Sequence, residues 1–294
     1  MMTGFQLITP RDLEEALRAL GSYGPEASLL AGATDLGVLM RSGARTPRVV
    51  VWIGRMQDLK GARRRNGTVC LGSGLTHAEV AGHSLVSGLP VLRKAAASIG
   101  SPQIRNAATA GGNLANASPA ADLAVPLLAL DARVLLRSSS GERLVAVEDL
   151  MRGPGLTCLE PNEIIVEISF EVPGGPDSGS ACFSDFVKLG LRDAVAISVA
   201  SAAIVATARD GKLSDLRVAC GAVAPRPLRM RSVEALVRGQ SVTAELLREV
   251  EAAASGECDP ITDIRATAGY RRHVAGVLVA RLVESAWRSL CSPA

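Results

Sequence analysis

The chain has 294 residues, enough for one large domain or two ordinary ones, and its 48% apolar and 21% charged residues match a globular protein. Net charge is +3, from 32 basic and 29 acidic residues with neither sign gathered into a tail. Only eight residues are aromatic (2 Trp, 2 Tyr, 4 Phe), which argues against a single-stranded nucleic-acid binder needing stacking platforms.

The start, Met1 to Pro10, has neither the basic region nor the apolar stretch of an export signal. Thr9 as N-cap and Pro10 at the first helical position predict a helix with the stripe Leu13, Ala16, Leu17 and Leu20. Gly21 and Gly24 end it. Ala27 to Leu30 and Val49 to Trp52 read as strands. Thr76-His77-Ala78-Glu79 is a capping box opening a short helix to about Leu85. Val91 to Ile99 reads as a helix, and another follows Ser118 and Pro119. Pro126 lies inside that pattern and predicts a kink or a late start. Arg133 to Leu136 and Ile164 to Val172 read as strands.

The Pro-, Gly- and Ser-rich run 173–180 predicts a domain boundary. Beyond it, Asp210-Gly211 between two apolar runs predicts a hairpin. Helices over about 243–255 and 268–290 complete a C-terminal α+β unit. The longest nearly apolar run, 194–208, is shorter than the roughly 20 residues of a membrane span. The six cysteines are widely spaced without any C-x-x-C pair, so no metal or cluster is expected in this chain. Reduced thiols and a cytoplasmic location follow as the simplest reading.

Catalytic constellations are weak. His77 and His83 lie six apart, which does not align them for a metal, and they read as surface or satisfied helix residues. Gly72-Ser73-Gly74 lacks the third glycine of a dinucleotide fingerprint and reads as a hairpin end. Two small-residue segments do resemble phosphate cradles. Ala31, Gly32, Ala33, Thr34 and Asp35 follow a strand and precede a helix. Thr109, Ala110, Gly111, Gly112 and Asn113 form the second. Backbone N–H groups can approach an anion at such places, and two of them fit a diphosphate held from two sides. Asp122 reads either as compensation of a helix dipole or as an acceptor for a ribose or adenine. Lys188 reads either as a solvated strand lysine or as a cation beside the pyrimidine edge of a flavin.

Four blocks then reveal a resemblance: AGATDL (31–36), IRNAATAGGNLANASPAADLAVPLLALDA (104–132), FVKLGLRDAVAISVA (186–200) and GAVAPRPLR (221–229). In this order and spacing the chain resembles the FAD-binding medium subunit of the molybdenum hydroxylases, the xanthine dehydrogenase and carbon monoxide dehydrogenase family. The resemblance covers nearly the whole chain. It implies an α+β fold: a two-subdomain FAD-binding fold of the vanillyl-alcohol-oxidase type over 1–173 (subdomains about 1–55 and 56–173). A C-terminal antiparallel sheet with helices would follow over 180–294. It further implies pyrophosphate loops at Ala31 to Leu36 and Thr109 to Asn113, with Leu36 closing the first and Ser118 following the second. Asp122 would lie near the ribose, Ile165 would meet the adenine or flavin through its backbone, and Lys188 would lie by the isoalloxazine ring.

The implied partners are a large molybdopterin-binding subunit and a small 2Fe–2S subunit, in a dimer of heterotrimers, with NAD or another acceptor. A stand-alone flavin oxidase and a flavin-free assembly module are the alternatives. Two departures matter. Where AGGTDL is common this chain has AGATDL, which a negative φ at Ala33 would accommodate. No aromatic follows Asp193, so the flavin ring should rest on aliphatic side chains or be covered by a partner.

Overall fold

The computed structural model describes residues 4–172, 174 and 181–291. Apart from Gly174, the boundary expected at 173–180 lies outside the described residues.

The first layer is a three-stranded sheet in which Val49–Trp52 runs parallel between Gln6–Ile8 and Ala27–Leu30. Val49, Val50 and Val51 are all buried, as expected of a covered parallel strand. The helix Leu13–Tyr23 turns its stripe Leu13, Ala16, Leu17 and Leu20 onto this sheet. Its cap is Asp12 rather than Thr9: the carboxylate accepts from the Glu15 N–H at 2.8 Å. A distant residue reinforces that choice, because Asp58 accepts from the Leu13 N–H at 2.8 Å. Two free donors of the first turn are thus satisfied. The helix also runs through Gly21 and stops only at Gly24.

The second layer is a five-stranded antiparallel sheet. Its order is Ala62–Arg65, Thr68–Gly72, Ile164–Glu171, Arg133–Ser138, Gly141–Ala146. The capping box forms as expected: Thr76 Oγ1 accepts from the Glu79 N–H at 3.2 Å, and Glu79 accepts from the Thr76 N–H at 2.7 Å. Its helix, His77–Gly82, is shorter than expected, and a 3-10 turn at Ser84–Val86 follows. The helix expected from Pro119 starts late, at Ala124, and ends at Ala129. Pro126 explains the delay. It lacks an N–H and is accommodated only in a first turn, where it stands third. All six residues of that helix are buried.

The third layer is a four-stranded antiparallel sheet in the order Cys182–Leu189, Ala200–Arg209, Lys212–Gly221, Leu228–Arg229. Asp210 (φ 52°) and Gly211 (φ 69°) form its hairpin turn, the left-handed pair that a tight two-residue turn requires. Helices Arg231–Val237, Ala244–Glu257 and Ala268–Cys291 complete this part. Along Ala200–Arg209, Ala202, Ile204 and Ala206 enter the core shared with these helices. Ala203 and Val205 enter the core of the second layer. Both faces are therefore buried, and the strand reads as one apolar run.

Arg229, within the GAVAPRPLR block, bolts the layers together. Its guanidinium donates to both Glu234 oxygens at 2.7 and 2.9 Å, to the Leu128 carbonyl at 3.2 Å, and to Asp131. Glu234 also accepts from the Val218 N–H at 2.9 Å. Every charge in this buried cluster has a partner, which is the condition for tolerating it.

Candidate functional site

A cavity of about 820 Å³ opens between the layers, within the size range of small-molecule sites. Of the fifteen residues singled out from the sequence, fourteen line it and Ala110 does not. Ala110, within the second loop, is buried. The sequence reading missed several other lining residues, among them Ser73, Gly74, His77, Asn116 and Ile197. Gly72-Ser73-Gly74, read as a hairpin end, does end the strand Thr68–Gly72. Its Ser73 and Gly74 then turn into the cavity wall.

The two loops differ in kind. In the first, the N–H groups of Gly32, Ala33, Thr34 and Asp35 have no acceptor among the described residues. Four successive donors on the wall of a cavity make an anion-binding concavity. The loop is anchored from behind by the Trp52 indole N–H, which donates to the Ala31 carbonyl at 3.2 Å. Gly32 packs so closely on the neighbouring chain that a Cβ would stand 1.9 Å from the Ala107 carbonyl oxygen. The Asp35 carboxylate is held by the Asn116 amide at 3.2 Å and the Thr34 hydroxyl at 3.2 Å.

The second loop is already satisfied. The Ala110 N–H donates to Leu75 O at 2.8 Å, Gly111 to Ser73 O at 2.8 Å, and Asn113 to Thr109 O at 2.9 Å. The Gly112 N–H donates to Thr109 Oγ1 at 3.1 Å. These bonds fold the segment into the helix Ala110–Ala115. The expected pair of open cradles is therefore one open cradle facing one braced wall.

Ala33 departs from the expected negative φ: it stands at +60°. The left-handed conformation costs a residue with a Cβ about 1–2 kcal/mol, partly offset because alanine orders less chain entropy than glycine. Ala33→Gly is expected to raise stability by about 0.5–1 kcal/mol, read as a higher urea midpoint. An unchanged or lower midpoint would refute the strain.

Asp122 and Lys188 meet. The Lys188 ammonium donates to Asp122 at 2.6 Å and to the Ser98 carbonyl at 3.3 Å. The Ser198 hydroxyl donates to the other Asp122 oxygen. The side chains are 12% and 6% exposed, so the solvated-lysine reading does not hold. Asp122 precedes the helix Ala124–Ala129, whose cap position is Leu123. The two residues assigned separate places along the cofactor therefore stand together at one point of the cavity wall.

His77 is also corrected. It is 1% exposed, and burial together with the Arg105 charge pushes its imidazole down to about 4, so the ring is neutral at pH 7. The wall also carries the aliphatic residues Ile53, Leu59, Ile104, Leu159 and Ile165 beside the charged Arg45 and Glu163, and no Phe, Tyr or Trp. The six cysteines are free thiols. Among the described residues no group of three or more His, Cys, Asp or Glu is gathered as for a metal, and no helix is long and apolar enough to cross a membrane.

Residues 3–173 match the family described as the FAD binding domain in molybdopterin dehydrogenase. Residues 185–286 match the CO dehydrogenase flavoprotein C-terminal domain. The chain belongs to the FAD-binding medium subunits of the molybdenum hydroxylase family. It is 31% identical to the carbon monoxide dehydrogenase medium chain of Hydrogenophaga pseudoflava, covering 96% of this chain and 97% of that one. It is 32% identical to the xanthine dehydrogenase FAD-binding subunit of Escherichia coli O157:H7, covering 93% of each. The solved carbon monoxide dehydrogenase from Hydrogenophaga pseudoflava superimposes on this medium subunit with a TM-score of 0.93 at 30% identity, covering 99% of this chain and 100% of that one. The expected α+β architecture, an FAD-binding fold followed by a C-terminal sheet with helices, is that of these medium subunits.

Proposed function

We propose that the cavity holds FAD and that this chain relays electrons from a 2Fe–2S subunit to NAD or another acceptor. The observation that carries the reading is the row of four unpaired N–H groups at Gly32 to Asp35. Those donors suit the oxygens of a pyrophosphate, the most polar part of FAD. The residues present fit the rest of the molecule too. The aliphatic side chains of the wall offer apolar contact for the ring, and Asp122 and Lys188 offer an acceptor and a donor in one place.

Bound FAD would supply the redox chemistry, accepting and passing on electrons. This chain's residues supply binding and electrostatics. The first loop would hold the phosphates, and the braced second loop would fix the opposite wall. Lys188 would present an ammonium already neutralised by Asp122, so it would act as a directed donor more than as a bare positive charge. Small-molecule substrate chemistry would belong to a molybdopterin-binding large subunit, within a dimer of heterotrimers.

The test is direct. The full chain, mixed with FAD and passed through gel filtration, is expected to elute with one flavin per chain and a flavin absorbance band. Affinity capture from its native cells is expected to bring a molybdopterin-containing chain and a 2Fe–2S chain. A colourless chain that ignores added FAD would overturn the cofactor assignment. Capture without those two partners would favour a self-standing oxidase.

A further inference from the structure

We infer that His77 is a cofactor-binding residue whose Nε2–H donates to an oxygen of the pyrophosphate held by the first loop. The inference rests on the FAD reading above and assigns a group that the sequence reading left aside. His77 is 1% exposed, yet it is among the residues that line the cavity. Neither ring nitrogen has a hydrogen-bond partner among the described residues, and Nδ1 is completely sealed from solvent. Nε2 is not among the sealed atoms, so it is the one nitrogen of the ring that an occupant of the cavity can pair.

The tautomer follows from the same facts. The neutral ring carries one proton. Placed on Nδ1, that proton would be a sealed donor without an acceptor, the costliest arrangement open to the ring. Placed on Nε2, it leaves only a lone pair sealed. The nearby Arg105, whose guanidinium donates to the Ile99 and Gly100 carbonyls at 3.0 and 3.2 Å, opposes a second proton. The ring is thus a fixed neutral donor.

Its place selects the acceptor. The His77 backbone N–H donates to the Ala108 carbonyl at 3.0 Å, and Thr76 bridges to Thr109. Gly32 is pressed against Ala107 and Ala108 from the other side. His77 therefore sits at the seam where the open loop meets the braced one. The four unpaired N–H groups of Gly32 to Asp35 begin at that seam, and a further donor there suits a group rich in acceptor oxygens.

The test measures affinity by quenching of flavin fluorescence for FAD and riboflavin, and by competition for ADP, with the full chain. ADP carries the pyrophosphate without the flavin; riboflavin carries the flavin without phosphate. His77→Leu is expected to weaken FAD and ADP by at least about tenfold, the worth of one hydrogen bond to a charged group, with riboflavin unchanged. His77→Gln, whose amide can still donate, is expected to recover most of that loss. Equal affinities in wild type and His77→Leu would overturn the inference, as would a loss confined to riboflavin. Should His77→Leu fail to fold, the nitrogen-15 spectrum of the wild-type ring decides: a proton on Nδ1 would overturn the assignment. A wild-type chain that binds neither FAD nor ADP would instead overturn the FAD reading itself.

Discussion

Replacing Gly32 by alanine is expected to yield a folded chain that no longer retains FAD. The new Cβ would lie 1.9 Å from the Ala107 carbonyl oxygen, 2.5 Å from its carbon and 3.0 Å from the Ala108 nitrogen. All three are backbone atoms, so no side chain can swing aside. The first loop must lift from the segment that also accepts the His77 N–H through Ala108. Overpacking of this kind costs about 1–3 kcal/mol in stability, which for a chain of this size lowers Tm by several degrees. The larger effect falls on binding, because the four loop donors lose their position against the opposite wall. Gly82→Ala is the matched control: its Cβ meets nothing within 4 Å. Flavin content after gel filtration and a thermal melt of both variants give the answer. Stoichiometric FAD in Gly32→Ala would show that the seam does not hold the cofactor.

Asp122→Ala is expected to destabilise the chain by about 3–5 kcal/mol, the cost of breaking a buried ion pair from one side. The Lys188 ammonium, 12% exposed, would keep only the Ser98 carbonyl, and the Ser198 hydroxyl would lose its acceptor. Adding Lys188→Met should recover most of the loss, because a matched apolar residue removes the stranded charge. A double-mutant cycle by urea denaturation measures the coupling. Additive effects would mean that the pair is not formed in solution. Lys188→Met alone is expected to keep FAD bound while changing its reduction potential, a readout that loss of packing alone would leave in place.

Where the sequence was informative, local chemistry was decisive. The Asp210-Gly211 turn and the Thr76–Glu79 capping box each depend on neighbours within four residues, and both are present in the structure. The AGATDL segment was legible because small residues between a strand and a helix leave few uses for the backbone. What escaped depends on partners far along the chain. Asp12 displaces Thr9 as a cap partly because Asp58 takes the next N–H. Asp122 and Lys188 are 66 residues apart, and nothing near either announces the other. The second loop looked open in part because the acceptors of its Ala110 and Gly111 N–H groups, Leu75 and Ser73, arrive from another element. His77 looked ordinary for the same reason: a lone histidine gives no sign of which nitrogen will be sealed. The sign of φ at Ala33 is likewise set by the anchoring of the whole loop and not by the residue itself.

The strand Ala200–Arg209 gives its alternate side chains to two different cores. Neither core can close without it. The chain therefore reads as two units along its sequence yet has one sheet as a common wall, and loss of that wall opens both sides at once. This sharing is expected to couple the unfolding of the two parts, read as coincident urea transitions by probes placed in each. A fragment ending at residue 172 would present to water the face of its core that Phe186, Ala203, Val205 and Ala219 cover. The C-terminal part is thus a structural requirement of the FAD-binding part.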